Sequence, residues 1–208
     1  MVSRTRTLPR GFFLNAYHSS VKVKLAGKGL VDVPSMAAKI RAAVAARRDP
    51  DFVIVARTDA RSVEGFDAAV RRAHEYLAAG ADMIFPEAME SVEEFARFAR
   101  EVPAPLLANM TEFGRSPLIP FNELASLGYR AVIYPLTAFR AAMRAAEETL
   151  KALREHGTQR DLLDRMQTRA ELYDLLGYAD WEERDREYFT AGATEDVGRP
   201  GPASEAPP

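Results

Sequence analysis

Polar side chains end three short apolar runs in this sequence. Arg57 ends the first run, Glu87 ends the second, and Asn109 with Thr111 ends the third. The planar guanidinium group of arginine matches the two oxygens of a carboxylate, and asparagine and threonine can donate further hydrogen bonds. If the three runs are neighbouring strands, their polar ends together form a site for a small carboxylated molecule.

A structural ion pair is the competing interpretation of these residues. An arginine and an acidic residue at strand ends often pair with each other, and Asp59 follows Arg57 by two positions. Three polar ends in register favour a binding site over separate ion pairs. The three histidines, His18, His74 and His156, show no ligand spacing and are interpreted as solvated.

Four continuous apolar runs predict buried strands. A strand that is apolar at successive positions is buried on both faces, as in a parallel sheet. The centres of the runs are roughly 23 to 30 residues apart, enough for one strand and one crossover helix. The sequence therefore predicts an α/β fold with a parallel sheet. The runs are Phe52–Ala56, Met83–Phe85, Leu106–Ala108 and Ala131–Tyr134.

Helix signals fill the segments around these runs. Pro34 can open a helix that the pair Asp49-Pro50 stops, and Gly80 is expected to cap the next helix. Ser91 and Glu94 predict a capping box at the start of another helix. Further helices are expected at 120–128, 138–155 and 158–176, the last of them closed by Gly177.

A doubly wound sheet and a closed barrel both fit this alternation. No Gly-rich phosphate loop follows any run, which weighs against a nucleotide-binding Rossmann fold. A (β/α)8 barrel needs eight strands and typically about 250 residues, whereas this chain of 208 residues shows four runs. The expected architecture is therefore about half of a closed fold, followed by C-terminal helices.

The composition of the chain argues against several classes of partner and site. The chain is 47% apolar and 28% charged, with a formal net charge of −2, which argues against nucleic acid or an anionic membrane as the main partner. No apolar run approaches the roughly 18 residues of a membrane span. The lack of cysteine excludes disulfides, thiolate metal sites and a cysteine nucleophile in this chain, and it fits a cytoplasmic location.

Both ends of the chain differ from the rest. The first acidic residue is Asp32, so residues 1–31 are basic and free of acid. We interpret residues 1–24 as an atypical basic leader; if it is a transit peptide, the location is the mitochondrial matrix. Residues 190–208 consist largely of Pro, Gly, Ala and Glu and are predicted to be a disordered tail.

Five segments resemble the methylisocitrate lyase family of the isocitrate lyase and phosphoenolpyruvate mutase superfamily. The similarity runs from about Leu25 to Phe189 and covers the second half of the family's sequence. The MQTR-ELY segment favours this family over the phosphonate-processing relatives. The five segments are DPDFVIVARTDA (49–60), AGADMIFPEA (79–88), PLLANMTEFG (105–114), YPLTAFRAA (134–142) and GTQRDLLDRMQTRAELYDLLGY (157–178).

The resemblance implies a TIM-type (β/α)8 barrel, of which this chain carries about four β/α units plus C-terminal helices at 25–189. It also implies Mg²⁺-dependent cleavage of 2-methylisocitrate into pyruvate and succinate, in an oligomer that swaps its last helix between subunits. By resemblance, Arg57 holds the carboxylate of the 2-oxo acid product, and Glu87 lies near the metal and its waters. The other residues matched are Asn109, Met110 (through its backbone) and Thr111 at the succinate end, and the substrate-contacting arginines Arg140 and Arg169.

The resemblance stops before residue 25. The family's Ser-Gly-Gly loop and Asp-x-Asp metal ligands belong to earlier strands, and its cysteine acid lies in a Lys-(Lys/Arg)-Cys-Gly-His motif. Residues 21–28 here read Val-Lys-Val-Lys-Leu-Ala-Gly-Lys, with neither Cys nor His. No catalytic residue and no metal ligand is therefore assigned in this chain, and residues 1–24 are expected to be out-of-frame or misassigned translation.

Three functions stay open. The first is a lyase by descent that is incomplete and inactive as given, because the acid and the metal site each contribute orders of magnitude to the rate. The second is a non-catalytic subunit or remnant that pairs with a full-length paralogue, or with itself as a homo-oligomer, through its C-terminal helices. The third is another reaction of the superfamily, such as phosphonopyruvate or oxaloacetate cleavage.

Overall fold

The structure is a computed structural model that describes the backbone of residues 11–15 and 29–196 and the side chains of residues 29–190. In this part of the chain, no helix combines the length and apolar character needed to cross a membrane. The strands are β1 (Gly11–Asn15), β2 (Val53–Thr58), β3 (Met83–Pro86), β4 (Leu106–Asn109) and β5 (Tyr129–Ile133). The helices are α1 (Val33–Ala46), α2 (Ala60–Val63), α3 (Phe66–Ala78), α4 (Val92–Glu101), α5 (Phe121–Leu127), α6 (Thr137–His156), α7 (Arg169–Leu176) and α8 (Tyr178–Asp196), with a 3₁₀ helix at Arg160–Arg165.

All five strands lie in one parallel sheet in the order β1-β2-β3-β4-β5. The predicted α/β fold with a parallel sheet is confirmed, and β2 to β5 correspond to the four predicted runs. The sheet has a fifth strand, β1, that was not predicted. It lies inside residues 1–24, which were interpreted as a leader. Phe13 of β1 is paired in register with Val55 of β2, and five residues are enough for a strand. The rest of the predicted leader lies outside the described residues.

The two faces of the sheet carry different apolar clusters. On one face the strands pack against α1, α3, α4 and α5 in the main core, which includes Ile84 and Leu106. Successive strand residues point to opposite faces. Val55, Phe85 and Leu107 therefore form a smaller buried cluster on the other face. Side chains two positions further along these strands share that second face.

Local contacts set the helix ends. The Asp32 carboxylate accepts a hydrogen bond from the backbone N–H of Ser35 at 2.7 Å, and this cap starts α1. The predicted role of Gly80 at the end of α3 is confirmed. Its φ is 103°, and a Cβ at this position would lie 2.9 Å from Cγ2 of Val44. Only glycine combines this backbone conformation with so close an approach of α1.

The capping box predicted at the start of α4 is only half formed. The Ser91 hydroxyl accepts from the backbone N–H of Glu94 at 3.2 Å. The Glu94 carboxylate, however, accepts from the guanidinium of Arg61 and from the backbone N–H of Glu90. A hydrogen bond between charged groups is stronger than the one to a backbone N–H, so the arginine redirects the carboxylate. A reciprocal capping box occurs instead at the start of α7.

The described residues divide into two compact units, and the boundary between the first and the second unit lies between Ala142 and Met143, within α6. In the second unit, the segment predicted to be helical over 158–176 forms the 3₁₀ helix and α7, and Gly177 ends α7 with a φ of 60°. The segment predicted to be a disordered tail begins at residue 190, and α8 continues through its first residues to Asp196; the tail itself stays a prediction. Ala191 and Ala193 favour helix there. Residues 197–208 lie outside the described residues.

Candidate active site

The polar ends of β2, β3 and β4 converge on one face of the sheet, as predicted. Nη2 of Arg57 lies 3.3 Å from Oε2 of Glu87, and Nδ2 of Asn109 donates to the same oxygen at 3.3 Å. The hydroxyl of Thr111 donates to Oδ1 of Asn109 at 2.7 Å. These four residues, named the rim site below, therefore form one connected polar group. Their role in binding a ligand stays a prediction.

Arg57 takes part in the structural ion pair that was the competing interpretation. Its Nε and Nη2 donate to the two carboxylate oxygens of Asp59, each at 2.9 Å. The side chain of Asp59 is fully buried, whereas that of Arg57 is 23% exposed and stacks over the Phe85 ring at 4.9 Å. One edge of the guanidinium is thus fixed by Asp59, and the cation is held rigidly toward Glu87.

The rim site offers complementary groups in a small space. It combines the cation of Arg57, the carboxylate of Glu87, the amide of Asn109 and the hydroxyl of Thr111. The cation and the two neutral donors suit the oxygens of a small carboxylic acid. The carboxylate would repel such an acid unless a proton or a metal ion lies between them.

Two other residues predicted to contact the ligand, Met110 and Arg169, are not part of the rim site. Met110 is buried, its N–H donates to the carbonyl oxygen of Ile133 at 2.9 Å, and its sulfur accepts from the N–H of Ile119 at 3.3 Å. Its backbone contact with a ligand is therefore limited to the carbonyl group. Arg169 begins α7 in the second unit, where its side chain is exposed. Its predicted contact with substrate stays a prediction.

Two residues beside the rim site have a left-handed backbone. Ala88 and Phe113 both have a φ of 61°. Such residues are uncommon when they are not glycine, and they cluster at functional sites where the surrounding structure imposes them. Neither was predicted, because alanine and phenylalanine give no sequence signal for this conformation. Phe113 is also 91% exposed, so its ring is held outward.

Arg140 lies against the loop that follows β4. Its guanidinium carbon is 5.2 Å from the centre of the Phe113 ring, and its Nε is 3.8 Å from Oε2 of Glu112. The hydroxyl of Thr137 donates to Oε1 of Glu112 and is the main reason that the pKa of Glu112 lies below its ordinary value of 4.5. Roles for Glu112, Phe113 and Thr137 were not predicted; their only sequence signal is that they stand just after strand ends.

The described residues do not by themselves complete a magnesium site. Mg²⁺ requires oxygen ligands in a near-octahedral arrangement. Among residues 29–190, no group of three or more His, Asp or Glu side chains could hold a metal ion. Both oxygens of Asp59 are bonded to Arg57, so the rim site itself supplies at most the carboxylate of Glu87.

A cavity of about 440 Å³ lies at the opposite end of β2 from Arg57. Its walls are mostly apolar and come from the C-terminal end of α1 together with Phe52 and Ile54. In folds of this kind, ligands bind beyond the carboxyl ends of parallel strands. The rim site, not this cavity, is therefore the candidate active site.

Comparisons with known proteins find relatives in sequence. A family model described as phosphoenolpyruvate phosphomutase matches residues 18–154, so its match starts before the predicted boundary at Leu25. The 2-methylisocitrate lyase of Aeropyrum pernix is 57% identical over 163 residues, which make up 78% of this chain and 52% of the relative. The chain thus spans about half the length of the curated relatives it matches.

Solved structures share the fold. Oxaloacetate acetylhydrolase in complex with the inhibitor 3,3-difluorooxalacetate has a TM-score of 0.75 and 33% identity, with 86% of this chain and 61% of that chain covered. Phosphonopyruvate hydrolase in complex with oxalate and Mg²⁺ has a TM-score of 0.74 and 28% identity, with 86% and 62% covered. Both neighbours are thus named for enzymes that act on small 2-oxo acids.

Proposed function

The chain belongs to the phosphoenolpyruvate phosphomutase family of the isocitrate lyase superfamily, and from this premise we propose that it forms the C-terminal half of a carbon–carbon lyase. The proposed reaction is the cleavage of 2-methylisocitrate to pyruvate and succinate. The rim site carries the proposal, because it sets a cation and two neutral donors after three adjacent parallel strands. The 57% identity to a 2-methylisocitrate lyase supports this choice of reaction.

Arg57 is proposed to bind the carboxylate of the 2-oxo acid. Nε and Nη2 of Arg57 donate to Asp59, and Nη2 also lies 3.3 Å from Oε2 of Glu87, so the ligand would meet the guanidinium beside these two carboxylates. A cation that is already fixed needs no reorganisation when charge develops nearby, and such preorganisation is a main source of rate enhancement. Asp59 therefore acts on the ligand only through Arg57.

The cleavage requires two proton transfers around one bond-breaking step. A base removes the proton of the substrate hydroxyl, the carbon–carbon bond breaks to leave pyruvate and a carbanion, and an acid protonates the carbanion to give succinate. Asn109 and Thr111 are proposed to hydrogen-bond the carboxylates beside the carbanion, and Arg140 to bind a further carboxylate. The family's cysteine acid has no counterpart among these 208 residues, and no step is assigned to the implied Mg²⁺, whose ligand set the rim site does not complete.

A non-catalytic role is the second proposal. In the second unit, Leu175, Leu176 and Trp181 are each more than half exposed. Exposed apolar surface of this kind often marks an interface, and it supports pairing with a copy of this chain or with a full-length paralogue. The expected location is the cytoplasm; the archaeal and bacterial relatives give the mitochondrial alternative no support.

The proposal is tested by measuring pyruvate release from 2-methylisocitrate and Mg²⁺ with lactate dehydrogenase and NADH. The full chain is assayed alone and together with the N-terminal half of the Aeropyrum pernix relative, added as a separate polypeptide. We expect turnover only in the mixture, and a roughly 100-fold loss with Arg57→Gln. Arg144→Gln is the matched control, because Arg144 is exposed on α6 and pairs with Glu148.

The other outcomes of this assay would assign a different substrate, support the non-catalytic role or remove the rim site from the reaction. Faster turnover of oxaloacetate or phosphonopyruvate than of 2-methylisocitrate would assign one of those reactions instead. A stable mixture that turns over none of the three substrates would support the non-catalytic role. Turnover that survives Arg57→Gln unchanged would remove the rim site from the reaction.

A further inference from the structure

Arg140 is held beside the loop after β4 by charge and by a ring, but not by hydrogen bonds. Its Nε lies 3.8 Å from Oε2 of Glu112, which is too long for a hydrogen bond. Within residues 29–190, no hydrogen bond to its guanidinium is present, and its side chain is 43% exposed. Arg57, in contrast, donates hydrogen bonds from Nε and Nη2 to Asp59. Arg140 therefore keeps its donors available for an incoming anion.

Glu112 faces Arg140 with an oxygen, Oε2, that lacks a hydrogen-bond partner among the described residues. Oε1 accepts from the Thr137 hydroxyl, whereas Oε2 is buried and has no hydrogen-bond partner in the described part of the chain. Buried polar atoms are nearly always bonded, so an exception indicates a site that is incomplete without something else. Here the carboxylate balances the charge of Arg140 without using any of its hydrogen bonds.

Phe113 supplies the second contact to Arg140. Its φ of 61° is costly for a residue with a side chain, and its ring is 91% exposed, so burial does not explain the position. The described contact of the ring is the guanidinium of Arg140, 5.2 Å from its centre. A cation held over an aromatic face is confined to one side of the ring. The strained loop thus orients the guanidinium.

We propose that Phe113 is a positioning residue that presents Arg140 to a carboxylate of the ligand, and that Glu112 is the counter-anion of Arg140 in the unliganded chain. The ring of Phe113 orients the guanidinium, and Glu112 serves as a resident counter-anion that the ligand carboxylate replaces. This inference rests on the proposed function, in which succinate is a product. It extends that function to specificity, because a diacid gains a second anchor at Arg140 that a monoacid lacks.

The test is the affinity of the full chain for succinate, measured by isothermal titration calorimetry with acetate as the monoacid comparison. Phe113→Gly is expected to weaken succinate binding about fivefold, the size of an exposed cation–π contact, without lowering Tm, because glycine adopts the left-handed backbone freely. Phe113→Tyr keeps an aromatic ring and should therefore bind succinate as tightly as the unaltered chain does. Glu112→Gln should tighten binding about threefold, because the competing charge is removed. Arg140→Gln should abolish the preference for succinate over acetate, and the control Arg144→Gln should change nothing.

The outcomes separate this inference from the proposed function. If succinate binding is lost in Arg140→Gln but unchanged in Phe113→Gly and Glu112→Gln, Arg140 binds the ligand, but the proposed roles of Phe113 and Glu112 are wrong. Weaker binding in Glu112→Gln would also refute its role as a competing counter-anion. If the unaltered chain shows no preference for succinate over acetate, both this inference and the proposed role of Arg140 fall, whatever the pyruvate assay gives for the rim site.

Discussion

Arg57 forms a structural ion pair with Asp59 and also lies beside Glu87 in the rim site. Asp59, which is fully buried, accepts both hydrogen bonds from one edge of the guanidinium at 2.9 Å. A buried carboxylate is tolerated only when its lone pairs are satisfied and its charge is balanced. The pair with Arg57 balances the charge of Asp59 just after β2, and it holds the guanidinium beside Glu87.

Asp59→Asn tests the structural contact. The change keeps the size of the side chain but removes the charge that balances Arg57, and we expect the free energy of unfolding to fall by about 3 kcal/mol. Urea unfolding measures it. Asp67→Asn is the control, because Asp67 is 70% exposed and pairs with Arg97 at the surface, where an ion pair contributes little. Equal effects of the two changes would contradict the account of Asp59.

A second arginine, Arg72, is buried away from the rim site. Its Nε and Nη2 donate to Glu64 at 2.8 and 2.6 Å, and its Nη1 donates to the carbonyl oxygen of Val31 at 2.9 Å. These bonds join the end of α2 to the segment just before α1. The hydrogen bond from Arg72 is the main cause that holds the pKa of Glu64 below its ordinary value of 4.5.

This shift predicts a dependence of stability on pH. Because the pKa of Glu64 is lower in the folded chain than in the unfolded chain, its contribution is present above about pH 4.5 and is lost as pH falls through the lowered pKa. At pH 6 the variant Glu64→Gln should therefore be less stable than the unaltered chain. Between pH 5 and pH 3 the unaltered chain should lose more stability than the variant. Thermal unfolding across this range measures the difference. Glu75→Gln, at an exposed position of α3, should follow the unaltered chain.

At the scale of the elements, the loop after β3 is fixed at both ends. Glu87 opens it with a backbone N–H that donates to the carbonyl oxygen of Thr58 at 3.0 Å. Further along, Arg61 of α2 bonds to Glu90 at 2.8 Å and to Glu94 at 2.7 Å. The left-handed Ala88 between these anchors is the conformation that the two fixed ends impose.

Replacement of Ala88 tests whether this loop stores strain. Ala88→Gly should raise the free energy of unfolding by about 1 kcal/mol, because glycine adopts a φ of 61° without the clash of a Cβ. Ala42→Gly, in the middle of α1, should instead lower it by about 1 kcal/mol. Chemical denaturation of both variants checks the opposite signs. A loss of stability in both would contradict the account.

Local patterns explain which elements were predictable from the sequence. The strands β2 to β5 were predicted because each is a continuous apolar run, and the convergence of Arg57, Glu87 and Asn109 followed from parallel pairing. The missing half of the capping box at α4 was not predictable, because it depends on Arg61, which lies 33 residues away from Glu94. The same holds for the contact between Arg140 and the loop after β4.

At the scale of the whole molecule, the second unit carries many large apolar side chains that are exposed to solvent. Trp181 is 63% exposed and is the single tryptophan of the chain. If this surface is an interface between copies, the chain should sediment as an oligomer, and its tryptophan emission should shift to shorter wavelength as concentration rises, because association removes water from the indole. Leu175→Glu should oppose both effects, whereas Arg144→Gln should not. A monomer at every concentration would exclude self-association through these helices.

The binding of pyruvate at the rim site is the central claim, and amide chemical shifts of the ¹⁵N-labelled full chain during a pyruvate titration test it most directly. We predict saturable shifts concentrated at residues 57–59, 87–88 and 109–111, and their loss in Arg57→Gln. Shifts confined to the cavity near Phe52, or no saturable shift at all, would contradict the assignment of the rim site as a carboxylic-acid site.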